Sequence, residues 1–234
     1  MKFELCAASI EAIKVAGELN FDRLELCQNL EQGGITPSYG LIEYAQAYGI
    51  ETHVLIRPRA GGFVYNEDEV EVILREVINC KRSGVKGVVV GALRESGEID
   101  KDVLSEIMHK AEGMEVTFHR AFDDSIDWRR SLNVLKECGV TRVLTSGMAR
   151  NVDIGIPVLK ELKKYAEGVI EIMAGGGVNA SNVGKLINEV QPDAIHFSGT
   201  IKTQLDEESL FSESILSVDK SRVERILKSA ERIA

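Results

Sequence analysis

The feature that most constrains this chain is an alternation. Eight short apolar runs of β type recur at fairly even spacing: FELCA (3–7), RLELC (23–27), THVLIR (52–57), GVVVG (87–91), EVTFH (115–119), RVLTS (142–146), VIEIMA (169–174) and DAIHFS (193–198). Stretches with helical periodicity separate them, and no hairpin dipeptide joins any two. Such an order demands parallel strands linked by right-handed crossovers. Eight βα units within 234 residues predict a (β/α)8 TIM barrel, which typically takes about 250 residues. The alternative, an open doubly wound sheet, buries its strands on both faces and reads nearly all apolar. Here polar residues stand at alternate positions toward the C-terminal ends of the strands, as a barrel interior allows. No Pro/Gly/Ser-rich linker divides the chain, so residues 1–234 read as a single domain.

Local signals agree with this plan. Asn66 and Asn179 precede helical stretches and are expected N-caps. Trp128, Leu132, Leu135 and Cys138 recur at three to four residues and predict one buried helix face.

Residues two apart share a strand face. The first strand therefore places Glu4 and Cys6 together on the inside, and the second does the same with Glu25 and Cys27. The third offers His53, Leu55 and Arg57, the fifth Thr117 and His119, the eighth His196 and Ser198. The charged members are expected mostly at the C-terminal mouth, where barrel enzymes carry their active sites. Glu25, Arg57 and His119 should converge there in one pocket, and desolvating so many ionisable groups argues for a functional return. His109, in a helix beside Met108 and Lys110, reads as a solvated surface residue.

Glycine-rich turns follow the last strands: TSG (145–147), AGGGV (174–178) and SGT (198–200). Gly175, Gly176 and Gly177, with Ser198 and Gly199, are expected to seat an anion on exposed amides near a helix N-terminus. Two long loops, 28–40 and 57–68, carry paired glycines and read as substrate-covering. The second adds Arg57 and Arg59, which suits anion recognition. The polar, acidic segment 202–219 reads as a mobile flap.

Charge and cysteine usage bound the partners. The formal net charge is −9 with the signs interspersed, so no basic stripe calls for nucleic acid and no polybasic run for an anionic membrane. No apolar run approaches the roughly 20 residues of a membrane span, and the first residues do not form a secretory signal. Four cysteines, Cys6, Cys27, Cys80 and Cys138, lack framework or CxxC spacing and suit a reducing cytoplasm.

Five blocks resemble the CutC family of copper homeostasis proteins: ELCQNLEQGGITPS (25–38), IRPRAG (56–61), FHRAFD (118–123), LTSG (144–147) and IMAGGGV (172–178). They spread over roughly the first 200 residues, and the tail from Lys202 carries none. The resemblance implies a cytoplasmic, homo-oligomeric (β/α)8 barrel associated with copper tolerance. It also implies Cys6 and Cys27, at the ends of the first two strands, as Cu(I) ligands. Residue chemistry by itself expects a weaker copper uptake, shared with Cys80 or Cys138, unless Met173 turns inward as a third soft ligand. The competing expectation is an isomerase- or lyase-type enzyme for a small anionic or phosphorylated metabolite. Glu25 or Glu4 would be its base, His119 its acid, and Arg57 and Arg120 its anion holders. No organic cofactor motif is present. A third expectation is a binding protein that keeps the pocket without chemistry.

Overall fold

The computed structural model describes residues 1–204 and 214–231. Eight parallel strands close into one barrel in sequence order: β1 (Lys2–Ala7), β2 (Arg23–Leu26), β3 (Thr52–Leu55), β4 (Gly87–Val90), β5 (Glu115–Phe118), β6 (Arg142–Thr145), β7 (Glu171–Gly175) and β8 (Ala194–Phe197). Between them run α1 (Ile10–Glu18), α2 (Tyr39–Tyr48), α3 (Glu67–Ser83), α4 (Lys101–Lys110), α5 (Trp128–Glu137), α6 (Val152–Ala166) and α7 (Val183–Val190), and α8 (Lys220–Glu231) closes the helical ring. No helix among the described residues is long and apolar enough to cross a membrane.

The alternation sorts the two layers. Leu5, Leu24, Leu26, Val54, Val116 and Ile172 face outward into the core between strands and helices. Their neighbours face inward, where Cys6, Cys27, Leu55 and Val89 pack as one cluster and Leu144, Met173 and Ala194 as another. Capping follows the sequence at Asn66, whose side chain accepts from the Glu69 amide while Glu69 answers at the Asn66 amide. It departs at Asn179. That residue orders a turn through Ser181, and α7 starts only after Asn182, because the Asn182 side chain binds the Asn179 amide at 2.8 Å and holds the chain off the helix for one more turn.

The inner face corrects one expectation. Charges crowd both ends of the barrel, not chiefly the mouth. At the N-terminal end Arg142 donates to Glu171 (2.6 Å), Glu115 (3.0 Å) and Thr117 (3.1 Å), and His53 lies between Glu51 and Glu115. Arg23 pairs with Glu4 midway up. Beyond β8 the stretch read as a flap is an antiparallel hairpin at both described ends, β9 (Thr200–Gln204) against β10 (Ser214–Val218). Residues 205–213, where the rest of that reading falls, lie outside the described residues.

Candidate functional site

A cavity of about 450 Å3 opens at the C-terminal mouth. Its floor is built by β1, β2 and β8. The parallel register sets Cys6 beside Glu25 and Glu4 beside His196, and Cys27 follows two residues after Glu25, just beyond the end of β2. The two thiols meet at 3.8 Å between sulfurs, and the Cys6 S–H points to Glu25 Oε1 at 3.6 Å. Cys6, Glu25, Cys27 and His196 are all buried and line the cavity. Gly34 closes over them from the first long loop with a left-handed φ of 84°, and a Cβ on it would stand 2.8 Å from Leu55 and 3.5 Å from Cys27.

Charge is distributed unevenly across this floor. Burial pushes the Glu4 carboxyl up, but the His196 hydrogen bond (2.7 Å) and the Arg23 guanidinium outweigh it and hold Glu4 well below the usual carboxylate range. Glu25 has only the Cys6 S–H and the more distant charges of His196 and Arg23 to offset its burial. Burial raises its pKa, and its Oε2 has no hydrogen bond. Burial alone would lower His196, yet the two carboxylates bring it above its ordinary value. Cys6 is held well above the usual thiol range by its hydrogen bond to Cys27 and by burial. The floor thus sets the two sulfurs beside a Glu25 whose burial favours its protonated form and a His196 ring bonded to Glu4.

The opposite wall comes from β3 and β5. His119 accepts the Ala121 amide on Nδ1 (3.1 Å) as it starts a 3-10 turn over Arg120–Asp124. Burial and the Arg57 charge drive its pKa down to about 3, so it is a neutral imidazole, with a buried Nε2 that has no partner. Gly91 makes room for the ring, since a Cβ there would stand 2.3 Å from it.

Arg57 lines the pocket, yet its terminal nitrogens are spent. Nη1 donates to the Gln32 (3.1 Å) and Gly34 (2.8 Å) carbonyls and Nη2 to Gly61 (2.6 Å), tying the two long loops together over the mouth. Arg59 is spent in the same way, on Glu69 and the carbonyls of Gly62 and Val64. Both read from sequence as anion holders; both are loop braces, because glycine-rich loops leave carbonyls that a guanidinium satisfies at close range.

The rim does carry cationic and amide donors. Arg120 reaches Asp123, Ser146 and the Ala149 carbonyl with Nε and Nη2, and lies flat against Gly176. Among the described residues no acceptor takes the amides of Gly177, Val178, Ser198 or Gly199, which all line the cavity. Gly175 differs from this set. It ends β7 inside the barrel, packed on Leu144 and the His196 ring. Of the two following helices, α7 begins only after a further turn, at Asn182, whereas the start of α8 packs on Gly199, whose carbonyl accepts the Asp219 amide and whose Cα lies under Val223.

Several site residues escaped the sequence. Asp123 accepts the Ser146 and Met148 amides and both nearby hydroxyls, which welds the FHRAFD and TSG blocks into one unit. Phe63, stacked between Arg57 and His119 (4.9 Å between rings), Leu216 of the hairpin and Arg222 of α8 also line the cavity. The last two lie in a stretch where no motif could be placed. Met173 does turn inward, but its sulfur sits 3.5 Å from Arg23 in a different inner cluster from the two thiols. Cys80 and Cys138 belong to α3 and its counterpart at the end of α5, in the helical layer. Burial lifts Cys80 to about 12.

Fold and site together define a (β/α)8 barrel with a thiol–carboxylate pocket at its C-terminal mouth. Comparison with known proteins names the group: residues 1–201 match the CutC family model, and the chain belongs to the CutC family. A Glaesserella parasuis CutC is 40% identical, the match covering 97% of this chain and 98% of the relative. One from Bacteroides thetaiotaomicron is 39% identical over 99% and 95% of the two chains. A solved CutC structure from Streptococcus agalactiae superposes with a TM-score of 0.80 at 34% identity, covering 84% of this chain and 98% of that one. Phosphoribosylanthranilate isomerase from Pyrococcus furiosus, at TM-score 0.60 and 18% identity over 99% of both chains, shares the fold.

Proposed function

We propose that this protein serves copper homeostasis by holding Cu(I) between Cys6 and Cys27 at the floor of the mouth. The observation that carries this reading is the 3.8 Å separation of the two sulfurs beneath an open cavity. Two metal–thiolate bonds of about 2.3 Å span that distance with the ion between them. Thiolates are the soft donors that Cu(I) prefers, and a His196 ring nitrogen lies within 4.8 Å of both Cys6 and Glu25 as a third donor. Both thiols must lose their protons on binding, and Glu25 stands 3.6 Å from Cys6 to take one. The family label and the name of the Streptococcus agalactiae relative, which refers to copper homeostasis, support the same reading. Anaerobic Cu(I) titration against a competing chelator tests it. One equivalent should bind, and either Cys6→Ser or Cys27→Ser should remove it. Binding that survives the double substitution, shared with Cys80 or Cys138, sinks the proposal.

A second reading has its own observation. Glu25 Oε2 and His119 Nε2 are buried, unpartnered and face one cavity whose rim presents free amides and Arg120. That set suits an isomerase or lyase acting on a small anion, with Glu25 as base. A thermal-shift screen of phosphorylated and carboxylate metabolites decides it, and a flat response across the set counts against it.

A further inference from the structure

The opposite end of the barrel holds a second cluster that the copper reading leaves unused. His53 is fully buried, yet among the described residues neither ring nitrogen has a hydrogen-bond partner, and Glu51 Oε1 beside it has none either. His53 Nε2 lies 3.6 Å from Glu51 Oε1 and 3.7 Å from Glu115 Oε2. These separations are too long for N–H···O hydrogen bonds, which run to about 3.2 Å. They are close to the ligand–ligand edge, about 3.3–3.6 Å, of a tetrahedral ion with bonds of roughly 2.0–2.2 Å. All three donor atoms lie within 4.8 Å of one another.

Charge points the same way. Glu51, Glu115 and Glu171 converge here. Arg142 is divided between Glu115 and Glu171, and Arg23 is committed to Glu4, its Nη1 coming no closer than 3.9 Å to Glu51. The carboxylates outnumber the guanidinium charge available to them, and a dication between Glu51 and Glu115 would cancel the excess.

We propose that Glu51, His53 and Glu115 form a binding site for a divalent first-row transition ion, zinc foremost, at the N-terminal end of the barrel. One imidazole and two carboxylates are a donor set that suits zinc, with water completing the coordination. Glu51 and Glu115 remain about one-third exposed (31% and 29%), so an ion enters from this end without passing the thiols. The site ties β3 to β5 across Gly87, which stands between His53 and Glu115 in register. A Cβ at Gly87 would stand 2.6 Å from the His53 ring, so only glycine leaves the space.

The test uses the full chain carrying Cys6→Ser and Cys27→Ser, stripped of metal, titrated with Zn2+ against a chromophoric chelator and with Co2+ followed by its visible spectrum. One equivalent of each should bind, and His53→Gln or Glu51→Gln should weaken binding at least ~10-fold, the lower bound seen when even outer-shell partners of a metal are lost. Should His53→Gln fail to fold, Glu51→Gln decides, since Glu51 lies partly at the surface. Absence of Zn2+ uptake by the Cys6→Ser, Cys27→Ser protein overturns the proposal, as does uptake unchanged by Glu51→Gln. An imidazole that titrates by NMR while no ion binds also overturns it, assigning His53 as a protonated bridge between the carboxylates.

Discussion

The two ends of the barrel interior are built from the same residue types and solve the burial of charge in opposite ways. At the N-terminal end a fully buried guanidinium, Arg142, serves three acceptors, and it outweighs burial to hold Glu115 below the ordinary carboxylate range. At the mouth burial outweighs the attraction of His196, and the pKa of Glu25 rises. Paired charge makes the first end a strand-to-strand clamp. Unpaired charge costs stability at the second, and a fold retains such a cost where a ligand or a proton is handled. In barrels the bottom face carries stability and the top face function, and the number of partners distinguishes the Arg142 clamp from Glu25, although Glu51 and His53 beside the clamp share the unpaired character of the mouth.

The largest effect should come from breaking the clamp. Replacing Arg142 with Met strands Glu115, Glu171 and Thr117 without their donor, and loss of one partner from a buried ion network costs about 3–5 kcal/mol. Urea unfolding at pH 7 measures it, and a loss below about 1 kcal/mol would show that the lower network is solvated and the contrast false.

Glu25→Gln should act in the other direction and more weakly. A folded pKa above the ordinary 4.5 means that the stability from this proton is present in full below about pH 4.5 and is lost as pH rises through the raised value. Glu115 and Glu51 have lowered values, so their contribution is present above 4.5 and is lost as pH falls. The two ends thus impose opposite slopes. The substitution should stabilise the protein at pH 8 by about 1 kcal/mol, the scale of one unpaired buried polar group, and leave the acid limb of the profile in place. Unchanged stability at pH 8 would place a partner on Glu25 and blur the comparison.

The smallest signal sharpens it within the mouth itself. His119, with a pKa near 3, should show ring resonances that do not move between pH 5 and 8, whereas His196 should titrate above 6.5. The stability linked to neutral His119 is present above 6.5 and is lost as pH falls toward 3. A His119 ring that titrates near neutrality would remove the desolvated wall on which the second reading rests.

The sequence by itself determined the fold class and the inward set. Strand alternation has a strict period of two, and the eight apolar runs repeat it, so Glu4, Cys6, Glu25, Cys27, Arg57, His119 and His196 could all be assigned to the interior before any contact was known. The same rule, applied to Arg23-x-Glu25, Glu115-x-Thr117 and Arg142-x-Leu144, also contains the lower clamp, at the N-terminal ends of the strands. Which of these side chains meet was decided only in three dimensions. The stagger of β1 against β2 brings Cys6 and Cys27 to 3.8 Å although they occupy equal places in a repeated tripeptide. Arg57 and Arg59 look like anion holders in one dimension, but their loops fold back and engage their terminal nitrogens with carbonyls, leaving the buried Arg57 Nε without a partner among the described residues. Leu216 and Arg222 reach the mouth because a hairpin and a closing helix pack there, carrying no motif of their own. Periodicity is a local property and can be read along the chain. Partnership depends on stagger, loop path and competition among donors, which exist only once the barrel has closed.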